Sequence, residues 1–172
     1  MAIETRPSEV TAHGRPTAAT GGDRRGAVAN WLLCRVASHH FALPMQHVVE
    51  TMRMLPIESV AGCPSMVRGL SVIRGVPTPV IDAALLFDGT PGQCERLVTV
   101  RSGRRIIALA TEAVVGVREM ADELDDLPPL LGNVEAIAGL TTLDRQLVFL
   151  LRTARIIPDD VLDRLRAAGA EA

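Results

Sequence analysis

His39, His40 and His47 fall within nine residues, and Cys63 follows sixteen residues after the last of them. Imidazole and thiolate are zinc ligands, so a metal site is the first chemistry to weigh. Two adjacent histidines on a strand point to opposite faces, and the paired C-x2-4-C or H-x3-5-H spacing of structural zinc is missing. Ser38 and His39 also fall in the turn where an internal repeat, described below, carries Arg104 and Arg105. A solvated turn is therefore expected there, with no metal. Cys63 offers a second chemistry, that of a thiol nucleophile, but it stands in the turn-like stretch Gly62-Cys63-Pro64-Ser65 with no evident acid to orient a histidine partner. The chain has no tyrosine and no lysine, which thins the stock of acid, base and Schiff-base groups. Glu112, Glu119, Asp122, Glu123, Asp125 and Asp126 form an acidic stretch that reads as a hydrated loop. Neither a GxGxxG nor a GK[ST] phosphate cradle occurs. No catalysis and no cofactor are expected, and a small thiol- or metal-dependent enzyme on a β scaffold stays as the alternative.

Binding remains. Val48, Val49 and Glu50, together with Arg74 and Gly75, make a set in which a charge is held against apolar neighbours, and arginine suits such planar paired contacts. A structural ion pair and a partner contact are both open for it, and the two are compatible. Arg74 and Asp82 are the only charges between Gly69 and Phe87. Ile73-Arg74-Gly75-Val76 reads as a hairpin tip, with Gly75 free to take positive φ. At ~3.3 Å per residue, Asp82 is too far along the same strand to reach the tip, so Arg74 needs another partner. Pro77 and Pro79 lack donors on the same side, which should be unpaired or ligand-facing.

The wider composition limits the partners. The 172 residues are 48% hydrophobic, and the formal net charge is −2. All 18 basic residues are arginine, interspersed with 20 acids, so there is no basic stripe for nucleic acid. Trp31, Phe41, Phe87 and Phe149 are the only aromatics, too few to stack exposed bases. Cys34, Cys63 and Cys94 are odd in number and follow no secretory signal, and no window is long and apolar enough for a spanning helix. A cytoplasmic protein without membrane insertion is expected.

The elements that must position these residues are short Val-, Ile- and Leu-rich runs separated by turn residues, a strand pattern. Residues 1–29 show no period and are expected to be a disordered tail. Residues 32–54 lie over 98–120 at an offset of 66, sharing Arg35 with Arg101, Ala42-Leu43 with Ala108-Leu109, Val48-Val49 with Val114-Val115, and Met54 with Met120. Residues 69–87 lie over 139–157 at an offset of 70, with Arg74 and Asp82 answered by Asp144 and Arg152. Two copies are too few for a solenoid, so duplication of a small closed β unit is the reading. Each copy should hold a strand pair, a short helical turn near MQHV or TEAV, a third strand, and a hairpin running into a helical turn. Residues 159–172 carry a weak helix signal with Asp159 or Asp160 as N-cap.

FALPMQHVVETMRM, CPSMVRGLSVIRGVPTPVIDAALLF, IIALATEAVVGVREM and IAGLTTLDRQLVFLL, in that order, resemble the CheW family of chemotaxis adaptor domains over about residues 31–157. The most specific piece is R-G-x-x-x-P-V-I-D, Arg74 to Asp82. The resemblance implies a mainly β fold of two SH3-like five-stranded barrel subdomains over 30–158, with short helices and a C-terminal helix at 159–172. It implies an adaptor coupling chemoreceptor tips to the regulatory domain of a CheA-type histidine kinase, at membrane-associated receptor arrays. By position, Val48 and Arg74 would lie on a receptor-facing groove between the barrels, with Glu50 placed to pair with Arg74. The protein-binding set expected is Val48, Val49, Glu50, Arg74, Gly75 and Asp82. Val72, Glu112 and Arg152 depart from the family's usual residues, which leaves open service in a pili or other non-flagellar pathway.

Overall fold

The structure is a computed structural model that describes residues 28–87, 89–121, 135–157 and 161. The strands are β1 (Val28–Val36), β2 (His39–Pro44), β3 (Val48–Arg53), β4 (Val67–Ile73), β5 (Val76–Asp82), β6 (Arg96–Ser102), β7 (Arg105–Thr111), β8 (Ala113–Ala121), β9 (Ile137–Leu143) and β10 (Gln146–Leu151). A short helix, α1 (Ala83–Phe87), follows β5, and single 3-10 turns occupy Met45–His47 and Thr153–Arg155. No helix among the described residues is long and apolar enough to cross a membrane. β1 begins at Val28, two residues before the expected start of the folded unit. The rest of the expected tail, and the expected C-terminal helix apart from Val161, lie outside the described residues.

The strands form two five-stranded sheets, ordered β8-β1-β2-β10-β9 and β3-β6-β7-β5-β4. At offsets of 66 and 70, every strand of residues 28–82 has its counterpart in residues 96–151, so the two sheets have the same order with the copies exchanged. One copy of the repeat is therefore not a closed β unit, contrary to the expectation from sequence. Each sheet draws strands from both copies, and the repeats interlock.

Period-2 alternation, with both faces covered, explains why the central strands read as almost unbroken apolar runs. In β1, Trp31 and Leu33 join Ala42, Met120, Val148 and Leu150 in a core belonging to the first sheet. Leu32, Cys34 and Val36 point the other way, into a core shared with Val98, Val100, Ile107 and Leu109 of the second sheet. The second sheet likewise has its own core of Ile73, Val80, Leu97, Ala108 and Ala110. The outermost strands reach the same private core: Met120 of β8 and Leu143 of β9 in one sheet, Met52 of β3 and Ile73 of β4 in the other. Each sheet thus curls on itself, as an SH3-like subdomain does, and the fold is mainly β with two such subdomains.

The expected short helical turn appears at Met45–His47 as a single 3-10 turn, but the chain near Glu112 only bends before entering β8. Pro44 ends β2, whereas its counterpart Ala110 keeps its donor and lets β7 continue to Thr111. Both hairpin tips take positive φ at their two central residues, Arg74 at 51° with Gly75 at 80°, and Asp144 at 49° with Arg145 at 68°. That is the type I′ pattern that matches strand twist.

Candidate functional site: a groove beside a bridged hairpin tip

The second sheet leaves a groove of ≈ 500 Å³ between its hairpin tip and the neighbouring strands, lined by Val49, Glu50, Arg74, Val76, Pro77 and Ile106 among others. Its cause lies in β5. Parallel pairing with β7 covers only Val80, Ile81 and Asp82, while the residues ahead of them, Pro77 and Pro79 included, pair with β4 alone. Two prolines supply no donors to a strand on the β7 side, so the ladder stops and the chains part. The unpaired side read from Pro77 and Pro79 is the wall of the groove.

The opposite wall comes from a β-bulge. In β3, Val48 pairs with Val100 and Glu50 with Thr99, which leaves Val49 as the extra residue. The Thr99 hydroxyl fixes the bulge by accepting the Glu50 N–H and donating to the Glu50 carbonyl, both at 3.2 Å. Val49 is thereby turned outward, 40% exposed, and Val76 and Ile106 stand exposed beside it at 60% and 44%.

Across the groove Arg74 meets Glu50. Nε donates to Oε1 at 2.8 Å and a terminal nitrogen to Oε2 at 2.6 Å, a bidentate fork. The bond joins β3, at one end of the sheet order, to the β4–β5 tip at the other. Arg74 holds the Glu50 carboxyl below the usual carboxylate range, chiefly through the hydrogen bond, and Glu50 raises the arginine in return. The arginine side chain is 78% exposed, so the pair sits in water at the groove's rim. Arg74 has five N–H donors, and those not turned to Glu50 are available outward.

The remaining expected residues fall as follows. Gly75 forms the tip with open space around it. Val48 is half-buried and packs against the shared core beneath the groove. Asp82 is fully buried at the far end of β5. Its carboxylate accepts the Ala84 N–H at 2.9 Å and the Gly92 N–H at 3.2 Å, with Arg68 at 3.8 Å. The groove residues outside the expected binding set and the flagged Pro77 are Ile73, Val76, Thr78, Thr99 and Ile106. Val76 follows the tip directly, but only the sheet order brings Thr99 and Ile106 there.

The residues that suggested metal or thiol chemistry are used in packing. His39 and His40 open β2 after a turn at Ala37-Ser38, and both are half-buried rather than solvated. His39 stacks on Phe87 at 5.4 Å and meets the edge of Phe149 at 5.7 Å. His47 Nδ1 hydrogen-bonds Thr153 Oγ1 at 2.6 Å. Among the described residues no three His, Cys, Asp or Glu side chains gather as a metal set. Cys63 packs half-buried against the shared core. Burial pushes the Cys34 thiol up to about 12, and burial with the nearby Asp82 charge pushes Cys94 up to about 11. Glu112 is paired with Arg35 at 2.6 Å, while residues 122–126 of the acidic stretch lie outside the described residues.

The fold has a solved counterpart. The scaffolding protein TtCheW from Thermoanaerobacter tengcongensis superposes with a TM-score of 0.64 at 20% identity, covering 73% of this chain and 90% of that one. A family model, the CheW-like domain, matches residues 30–161. The match takes in all ten strands apart from the first two residues of β1, and with it the groove, both tips and the interlocked halves, so this chain belongs to the CheW-like domain family.

Proposed function

We propose that this protein joins two partners in a chemosensory array: the cytoplasmic tip of a chemoreceptor and the regulatory domain of a CheA-type histidine kinase. The family is one of non-catalytic chemotaxis scaffolds, and the likeness to a solved scaffolding protein agrees in fold. The observation that carries the reading is the groove: exposed Val49, Val76 and Ile106 beside the outward-facing Arg74, itself steadied by Glu50. A receptor tip is a helical hairpin, and a helix laying one apolar face in a groove, with a polar residue meeting the arginine, is a recurrent mode of recognition. Gly75 forms the tip beside the groove and Val48 packs beneath it, while Asp82, buried at the far end of β5, lies away from the groove.

Arg74→Glu tests this. It places two carboxylates face to face at the rim and removes the cationic donor, so a receptor-tip hairpin should no longer be retained in a pull-down. Far-UV circular dichroism and the urea midpoint should stay near the parent's, because a fork this exposed adds little to stability. Retention of the hairpin by a folded Arg74→Glu variant would defeat the groove assignment. The isolated kinase regulatory domain, assayed separately, should bind the parent protein, and its failure to do so would remove the second arm.

A further inference from the structure

The chain builds the same β-bulge twice, by two different means. In the second sheet Val49 is the extra residue and Glu50 pairs with Thr99, whereas in the first sheet Val115 is the extra residue and Gly116 pairs with Leu33. At the offset of 66 these positions are equivalent: Val115 answers Val49, Gly116 answers Glu50, and Leu33 answers Thr99. A bulge disrupts the ladder locally, so the residue beside it must settle its backbone in some other way. Gly116 does so by taking a φ of 141°, which its missing side chain permits. Glu50 stays out of that region, and its N–H and carbonyl are taken up instead by the Thr99 hydroxyl, at 3.2 Å each. Leu33 packs in the first sheet's own core, while Thr99 lies at the floor of the groove, 1% exposed.

The bulge as such therefore needs neither a threonine nor a glutamate. What the pair adds is a directed side chain: Gly116 has none to offer the Asp144 tip, while Glu50 reaches Arg74 with both oxygens. Thr99, Glu50 and Arg74 are also replaced as a set, by Leu33, Gly116 and Asp144. We propose that Thr99 is a positioning residue of the docking groove, acting on the partner through Glu50 and Arg74, and that the three side chains make one recognition unit carried by the second sheet alone. Holding the glutamate backbone at both of its polar groups fixes the direction of its side chain. The fork then orders an arginine whose side chain is 78% exposed and would otherwise sample many rotamers in water. The Arg74 donors left over face outward in one orientation before the partner arrives, which lowers the ordering cost of binding. This role rests on the groove as the docking site of a receptor tip, yet the free protein tests it without a partner.

In the free full chain, an NMR titration follows the Glu50 side-chain carboxyl, which Arg74 holds below the ordinary carboxylate range. Thr99→Val, which removes the hydroxyl, should move that midpoint upward, and Thr99→Ser, which keeps it, should leave the midpoint at the parent's. In an Arg74→Ala background Thr99→Val should move it no further, because both changes act through the same fork. Affinity for a receptor-tip hairpin should fall about tenfold in Thr99→Val, the worth of one loosened charge-assisted hydrogen bond, and recover in Thr99→Ser. Thr99→Val also leaves two backbone groups unpaired, so a second variant imports the first sheet's own solution of the bulge. Thr99→Leu with Glu50→Gly should keep circular dichroism and the urea midpoint near the parent's, yet retain no hairpin. A Glu50 midpoint unmoved by Thr99→Val, a Thr99→Ser variant no better than Thr99→Val, or a double variant that unfolds or holds the hairpin as the parent does would overturn the proposal. Failure of the parent itself to hold the hairpin would instead remove the receptor assignment, and the midpoints would still decide whether Thr99 aims the fork.

Discussion

Arg74 carries the chemistry of the tip while sitting in a backbone region that an arginine seldom enters. Its φ of 51° is one that Gly, Asn or Asp would occupy with less strain, and such strain collects where function demands a particular side chain. The reach of a strand already excluded Asp82 as its partner, and position in the resemblance pointed to Glu50, which is where the fork forms. The carboxylate supplies a test by pH. Glu50 titrates lower in the folded chain than in the unfolded one, so its contribution is fully present above the ordinary carboxylate range and is lost as pH falls through the depressed value. In an NMR titration of the Glu50 side-chain carboxyl, Arg74→Ala should move the midpoint upward to the ordinary range. An unmoved midpoint would mean that the fork is absent in solution.

The groove is made by breaks in regularity, two prolines that stop a ladder and one bulge that turns Val49 outward. The prolines were legible because a missing donor is a property of the residue itself. The bulge was not, since Val48, Val49 and Glu50 form an ordinary strand triplet until the pairing with β6 counts one residue too many. Gly69 shows the same difference. Nothing in its neighbours on the chain marks it, yet it has φ 142°, and an added Cβ would stand 2.0 Å from the Glu58 carbonyl oxygen. That carbonyl accepts the Leu70 N–H at 2.8 Å, and the Glu58 N–H donates to the Leu70 carbonyl at 2.8 Å. Gly69→Ala must displace this backbone pair and adopt a disfavoured φ, so it should destabilise the protein by about 2–4 kcal/mol, lowering the urea midpoint by about 1–2 M. A midpoint within 0.3 M or so of the parent's would show that the Glu58 segment yields at little expense.

The interlocking of the copies decides how the molecule holds together. With half of its strand pairings made to the other copy, neither half can bury both faces of its strands alone. Fragments 1–90 and 91–172, prepared separately, should each lack cooperative unfolding as monomers, and mixing them should restore a single transition with the parent's circular dichroism. A fragment that folds as a monomer would contradict this account. The amino-acid sequence by itself determined which segments are strands, that they come in two matched sets, where the tips turn, and that the charges suit recognition better than turnover. These follow from side-chain period, missing donors and the reach of a strand, all properties of neighbours along the chain. Which strand lies beside which was decided only by tertiary structure. Two copies with nearly the same apolar pattern satisfy a ladder equally well within a copy or between copies, and the choice rests on which arrangement covers both faces of every central strand at once.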